Sequence, residues 1–142
     1  MSLREAAPLK IKIMTKEEVN TFEKLQAQLD GLHNEISALS KKSQNDALNK
    51  FKLKFVNQIL IKANQLLSDK YKPFNDFNIF EEEDMPTNSD VAMMLTQYLN
   101  CFEKMRSDNV KKQDSYPQHW FWVIDNKLSD IRTVMPKIIK EK

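Results

Sequence analysis

The stretch FEKLQAQLDGLHNEISAL, residues 22–39, decides the fold. Its apolar residues Phe22, Leu25, Leu29, Leu32, Ile36 and Leu39 follow one another at spacings of 3, 4, 3, 4 and 3. That is the a/d rhythm of a helix lying lengthwise against other helices. Just upstream, Thr15-Lys16-Glu17-Glu18 has the form of a capping box, the threonine hydroxyl accepting from the third amide while Glu18 reaches back. Together they predict a helix over about 16–41. Gly31 falls inside it, where glycine costs about 1 kcal/mol against alanine. It either admits a close neighbour beside the seam or marks a bend.

Two more segments of similar length follow. Ser43 or Asn45 can cap a helix over about 45–69, with Leu48, Phe51, Phe55, Ile59, Ala63 and Leu66 on one stripe that Val56, Leu60 and Leu67 widen, enough for two neighbours. Lys50 to Phe55 also alternates like a strand, but the helical period continues through Leu66 without a breaker. Thr87-Asn88-Ser89-Asp90 offers caps for a third helix over about 89–112, carrying Val91, Met94, Tyr98, Phe102 and Met105. Between these two, Pro73 and Pro86 bracket Phe74, Phe77 and Phe80, spaced for a short helical turn near 74–83. One glycine in 142 residues fits long helices with few tight turns.

The ends read differently. Leu9-Lys10-Ile11-Lys12-Ile13 alternates as a short strand within an N-terminal arm, residues 1–14. After residue 112 comes an extension: Trp120 to Ile124 is β-prone, Asp125-Asn126-Lys127 supplies turn chemistry, and Ile131 to Val134 returns, a hairpin over about 120–134. A hairpin alone is marginal in water, so it must pack on the bundle, pair with strand 9–13, or pair with another subunit. The expected fold is mainly α, an antiparallel three-helix bundle over 15–112 with a small C-terminal β-hairpin that the N-terminal strand can join.

Composition bounds the chemistry. Cys101 is the only cysteine, so no intrachain disulfide can form and a cytoplasmic location is expected. No run approaches the roughly 20 apolar residues of a spanning helix, and no membrane association is expected. The net charge of +2 is unevenly placed: residues 1–72 hold 13 basic and 8 acidic side chains, while 73–142 hold 9 and 12. Such a dipolar chain can self-associate or meet a charged partner.

No catalytic constellation stands out. His33 and His119 are far apart and show no metal-ligand spacing. Cys101 has neither a helix N-terminus nor an adjacent base to activate it. Glu81-Glu82-Glu83-Asp84 lacks the donor spacing of a calcium loop and suits the start of the third helix instead. Glycine-rich phosphate cradles are excluded by composition. The expectation is no enzyme, no cofactor and no metal.

Two groups remain as binding candidates. Tyr116, Trp120, Phe121 and Trp122 form the densest aromatic group and suit a protein interface. Lys41, Lys42, Lys50, Lys54 and Lys62 suit phosphate contacts, although the absence of arginine among them argues against reading of bases. The leading expectation is a non-catalytic helical module that binds another protein, including a copy of itself as a homo-oligomer. A nucleic-acid-associated subunit using the lysines is the alternative. An enzyme cleft around His119, Asp125 and Glu83 comes third.

Overall fold

The computed structural model describes residues 13–137. Three helices, α1 (Lys16–Ser43), α2 (Lys50–Tyr71) and α3 (Asn88–Asn109), pack together, and three short strands follow: β1 (Val110–Lys112), β2 (Trp120–Ile124) and β3 (Lys127–Thr133). The fold class is the one the heptad rhythm predicts: mainly α, with a small antiparallel sheet at the C-terminal end.

The capping box is formed, Thr15 and Glu18 exchanging backbone-to-side-chain bonds of 3.1 Å. Val19, Phe22, Leu25, Leu29 and Ile36 are buried, with Leu32 and Leu39 packed beside them. A Cβ on Gly31 would meet no atom within 4 Å. The glycine therefore admits no close neighbour, and α1 continues past it to Ser43.

Helix α2 departs from expectation in two ways. It starts at Lys50, capped by Asn49, whose side chain accepts from the Lys52 amide at 2.8 Å. Residues 44–48 are instead laid alongside the start of α3. Leu48 donates to the Pro86 carbonyl (2.9 Å), Asn88 to Asp46 (2.8 Å) and Ser89 to Gln44 (3.1 Å). Backbone groups used in that pairing cannot also close helical turns. The expected wide stripe is also trimmed at its start. Val56, Ile59, Leu60, Ala63, Leu66 and Leu67 are buried as expected, whereas Phe51 and Phe55 stand outside and Leu53 is buried in their place. In the first turns of α2, burial chose the aliphatic side over the two rings. Near its end α2 kinks at Ser68, which holds φ 56° and ψ −174°.

The connection 72–87 explains how the helices run. Asn57 pins it with two bonds, donating to the Phe80 carbonyl (2.9 Å) and accepting from the Phe80 amide (3.0 Å). Asn64 donates to the Asn78 carbonyl at 2.8 Å, and Lys50 meets Glu82 at 3.7 Å. The chain thus travels back along α2 before α3 begins. Accordingly α1 runs antiparallel to both other helices, as Gln26–Glu103, His33–Thr96 and Glu35–Lys52 pairs record. Helices α2 and α3 run parallel, as Asn64–Tyr98 and Tyr71–Asp108 record. The helical turn expected near 74–83 is not formed. Asn57 and Asn64 hold that backbone open, and only Glu82–Asp84 coils, as a 3-10 turn.

Helix α3 opens with a second capping box, Thr87 and Asp90. It ends at Asn109 rather than near 112, because Val110–Lys112 pairs antiparallel with Trp122–Trp120 as β1. The third strand of the sheet therefore comes from the chain beyond α3. Residues 9–12 of the expected N-terminal strand lie outside the described residues, and Ile13 belongs to no strand. Asp125 and Asn126, both at positive φ, make the two-residue turn between β2 and β3. The ladder is irregular between Phe121 and Val123, where the Ser129 hydroxyl bridges the Trp122 carbonyl (2.7 Å) and the Ile131 amide (3.1 Å). The sheet reaches the core through Val110 of β1 and Trp122 of β2. Trp122 is fully buried, edge-on to Phe22 at 4.9 Å, and Phe22 in turn meets Phe102 at 4.9 Å.

Candidate functional site

The aromatic candidates divide by depth. Tyr116 is 93% exposed at the tip of the β1–β2 loop, Trp120 and Phe121 are half-buried, and Trp122 is fully buried. Trp122 is a core residue, so it is withdrawn as a partner contact. Its indole instead belongs to a polar cluster that the sequence reading missed.

That cluster centres on Arg106, only 3% exposed. Its guanidinium lies over Phe22 (5.1 Å) and Trp122 (5.3 Å). It donates to Glu23 at 3.0 Å and also to Gln26 and Thr133, and it meets Glu103 at 3.5 Å. Glu103 further accepts from Gln26 (2.7 Å) and from the Lys137 amide (3.1 Å). A planar guanidinium can bridge several acceptors and stack on rings at once, which a lysine cannot. The cluster ties α1, α3 and β3 together, and its groups are largely spent on one another. Its sequence signal was the Glu103–Arg106 spacing of three on a helix.

The other polar candidates are also internal. His33 bridges helices through the Thr96 hydroxyl (2.8 Å) and touches Ser37 (3.3 Å). Burial pushes the Cys101 thiol pKa up, away from the thiolate a nucleophile needs. Burial likewise raises Tyr98 to about 12, against its bond to Asn64, and raises Tyr71 too, aided by the Asp108 carboxylate it donates to at 2.6 Å. His119 and Asp125 flank opposite ends of β2, and Glu83 lies by the start of α2. The enzyme trio is not assembled. Among the described residues no group of three His, Cys, Asp or Glu side chains is placed to hold a metal, and no helix is long and apolar enough to cross a membrane.

Several large apolar side chains stand outward, Met85, Met93 and Val134 among them, and two aromatic ones share a face of α2. Phe51 is 71% exposed and Phe55 40%, their rings edge-to-face at 5.0 Å. Positions 51, 55, 58 and 62 share this face by helical spacing, so Lys62 continues it. Lys54 lies 5.8 Å from the Phe55 ring. Lys50, Phe51, Leu53, Lys54, Asn57 and Glu82 line a depression of about 430 Å³. The structure therefore brings Lys50 and Lys54 to the exposed aromatics, and Lys62 stands two turns further along the same face. Lys41 and Lys42 sit apart on the last turn of α1, where cations suit the helix dipole.

This helix start also breaks the pattern of its neighbours. Both α1 and α3 carry acids in their first turn, whereas α2 has none and begins Lys50-Phe51-Lys52. Cations at a helix N-terminus are unfavourable by about 0.3–1 kcal/mol each. Departures from local rules concentrate at functional surfaces. No protein-family model, no curated protein and no solved structure matches this chain.

Proposed function

We propose that the protein is a non-catalytic interaction module that docks another protein on the outward face of α2. The observation that carries this reading is the exposed Phe51–Phe55 pair on a well-packed helix, with Lys50 and Lys54 beside it and Lys62 further along the same face. Aromatic rings supply large contact area, and a surrounding polar rim gives orientation. Tyr116, exposed at the far end of the molecule, is a separate contact candidate.

Affinity capture from the native cell tests the idea, comparing the unmodified chain with a Phe51→Ser/Phe55→Ser variant. A partner held by the former and released by the latter, with equal helicity in both, supports docking on α2. An identical set of captured proteins removes this face from the reading. Self-association belongs to the same proposal and is read by light scattering. A monomer throughout the micromolar range dismisses the homo-oligomer.

The alternative, a nucleic-acid-associated subunit, draws on the same lysines interleaved with stackable rings. Against it stands the acidic 3-10 turn Glu82–Asp84, which lies by the start of this face through the Lys50–Glu82 pair.

A further inference from the structure

We infer that the partner taken by the α2 face is an acidic amphipathic peptide segment, its apolar side chains on Phe51 and Phe55 and its carboxylates toward Lys54 and Lys62. This rests on the docking reading above and names the chemistry of what docks.

Charge complementarity is the first argument. Helix α2 carries Lys50, Lys52, Lys54, Lys62 and Lys70 against a single acid, Asp69. Two of these lysines are already engaged, Lys50 by Glu82 at 3.7 Å and Lys52 by Glu35 at 3.0 Å. Among the described residues no carboxylate lies within ion-pair distance of Lys54 or Lys62. Lys54 lies beside the Phe55 ring, and Lys62 stands two turns beyond Lys54, about 12 Å along the axis at 1.5 Å per residue. A helical segment with two acids about two turns apart, one of them beside its apolar stripe, matches that spacing.

The molecule's own crossover supplies the second argument. Residues 77–84 combine Phe77, Ile79 and Phe80 with Glu81 to Asp84, and they lie along α2 with Glu82 on Lys50. One side of α2 thus already accommodates an aromatic, acidic segment of this chain. The outward side offers rings and lysines of α2 itself, with Glu82 of the crossover at its edge.

The third argument separates peptide from nucleic acid. A polyanion following the lysine row toward the start of α2 meets Glu81–Asp84, where like charges repel. A peptide can end its acids at Lys54 and place a neutral or basic residue there instead.

The experiment uses the full chain and a fluorescent helical peptide of about 14 residues, roughly four turns, with leucines on one stripe and glutamates elsewhere. Two further probes are the same peptide with lysine for glutamate, and single-stranded oligo(dT). The acidic peptide is expected to bind, to weaken at least tenfold between about 0.1 and 1 M salt, and to weaken similarly with Lys54→Glu/Lys62→Glu. That double variant should gain the lysine peptide, while a Lys24→Glu control on α1 changes neither. Circular dichroism confirms that each variant is folded. Equal binding of both peptides to the unmodified chain leaves only apolar adhesion and overturns the inference. Preferential binding of oligo(dT) overturns it in favour of nucleic acid. No binding of any probe overturns it as well, and the Phe51→Ser/Phe55→Ser capture result then judges the docking reading separately.

Discussion

The indole nitrogen of Trp122 donates to the Glu23 carboxylate at 3.1 Å, across 99 residues of sequence. The other oxygen of Glu23 accepts from Arg106, whose guanidinium lies over the same indole. One carboxylate thus fastens the sheet to α1 and to α3. Removing the cation leaves Glu103, buried at 8% exposure, without its charge partner. Arg106→Met should cost about 3–5 kcal/mol, the range for breaking a buried ion pair. Trp122→Phe, which keeps most of the ring but deletes the donor, should cost less, roughly 1–3 kcal/mol. Urea unfolding of both variants checks the order; a larger loss for Trp122→Phe contradicts the central place given to Arg106.

Gly31 should be replaceable at a gain. It lies in α1 with open space where a Cβ would go. Gly31→Ala is expected to raise stability by about 0.5–1 kcal/mol, measured as a rise in Tm. A loss would mean that the helix needs the glycine for a bend.

Ser68 holds a backbone conformation that only glycine adopts freely. Ser68→Gly should therefore stabilise by about 1 kcal/mol, the strain relieved exceeding the extra entropy of the unfolded chain. Ser68→Ala, which keeps the Cβ, should give no such gain in the same denaturant titration.

Alkaline pH should weaken the fold through its tyrosines. Tyr98 is neutral when folded, and its pKa is raised from 10.0 to about 12. A raised value means that this stabilisation is complete below pH 10 and is lost as pH climbs from there toward 12. Tm measured from pH 9 to 12 should fall less steeply in Tyr98→Phe than in the unmodified protein. Parallel curves would remove Tyr98 from the account.

The exposed rings of α2 should be nearly silent in folding. Phe51→Ser is expected to shift stability by no more than about 0.5 kcal/mol, since Phe51 is 71% exposed. A cost above 2 kcal/mol in thermal melts would make it a structural residue and withdraw it from the docking face.

Legibility varied with the range of the interaction. The first capping box and the α1 seam were readable because every atom involved lies within a few residues, while Thr87–Asp90 was legible as a choice of caps. The start of α2 was misplaced, since residues 44–48 answer to Pro86, Asn88 and Ser89, some 40 residues away. The end of α3 was misread for the same reason, Val110–Lys112 being claimed by β2. In the candidate site, the lysines were legible as a charged row. The exposure of Phe51 and Phe55 was not, because two stripes of helical spacing overlap on α2 and periodicity ranks neither.

By itself the sequence determined three amphipathic helices, their caps, the turn at Asp125–Asn126 and the missing glycine-rich or metal-spaced motifs. Local hydrogen bonding and side-chain period suffice for those. Only the tertiary structure decided which stripe of α2 went inside, that α2 and α3 run parallel, and that Trp122 closes the core beside Arg106. Those outcomes depend on which apolar surfaces can be buried together and which distant polar groups satisfy one another, and no window along the chain contains both partners.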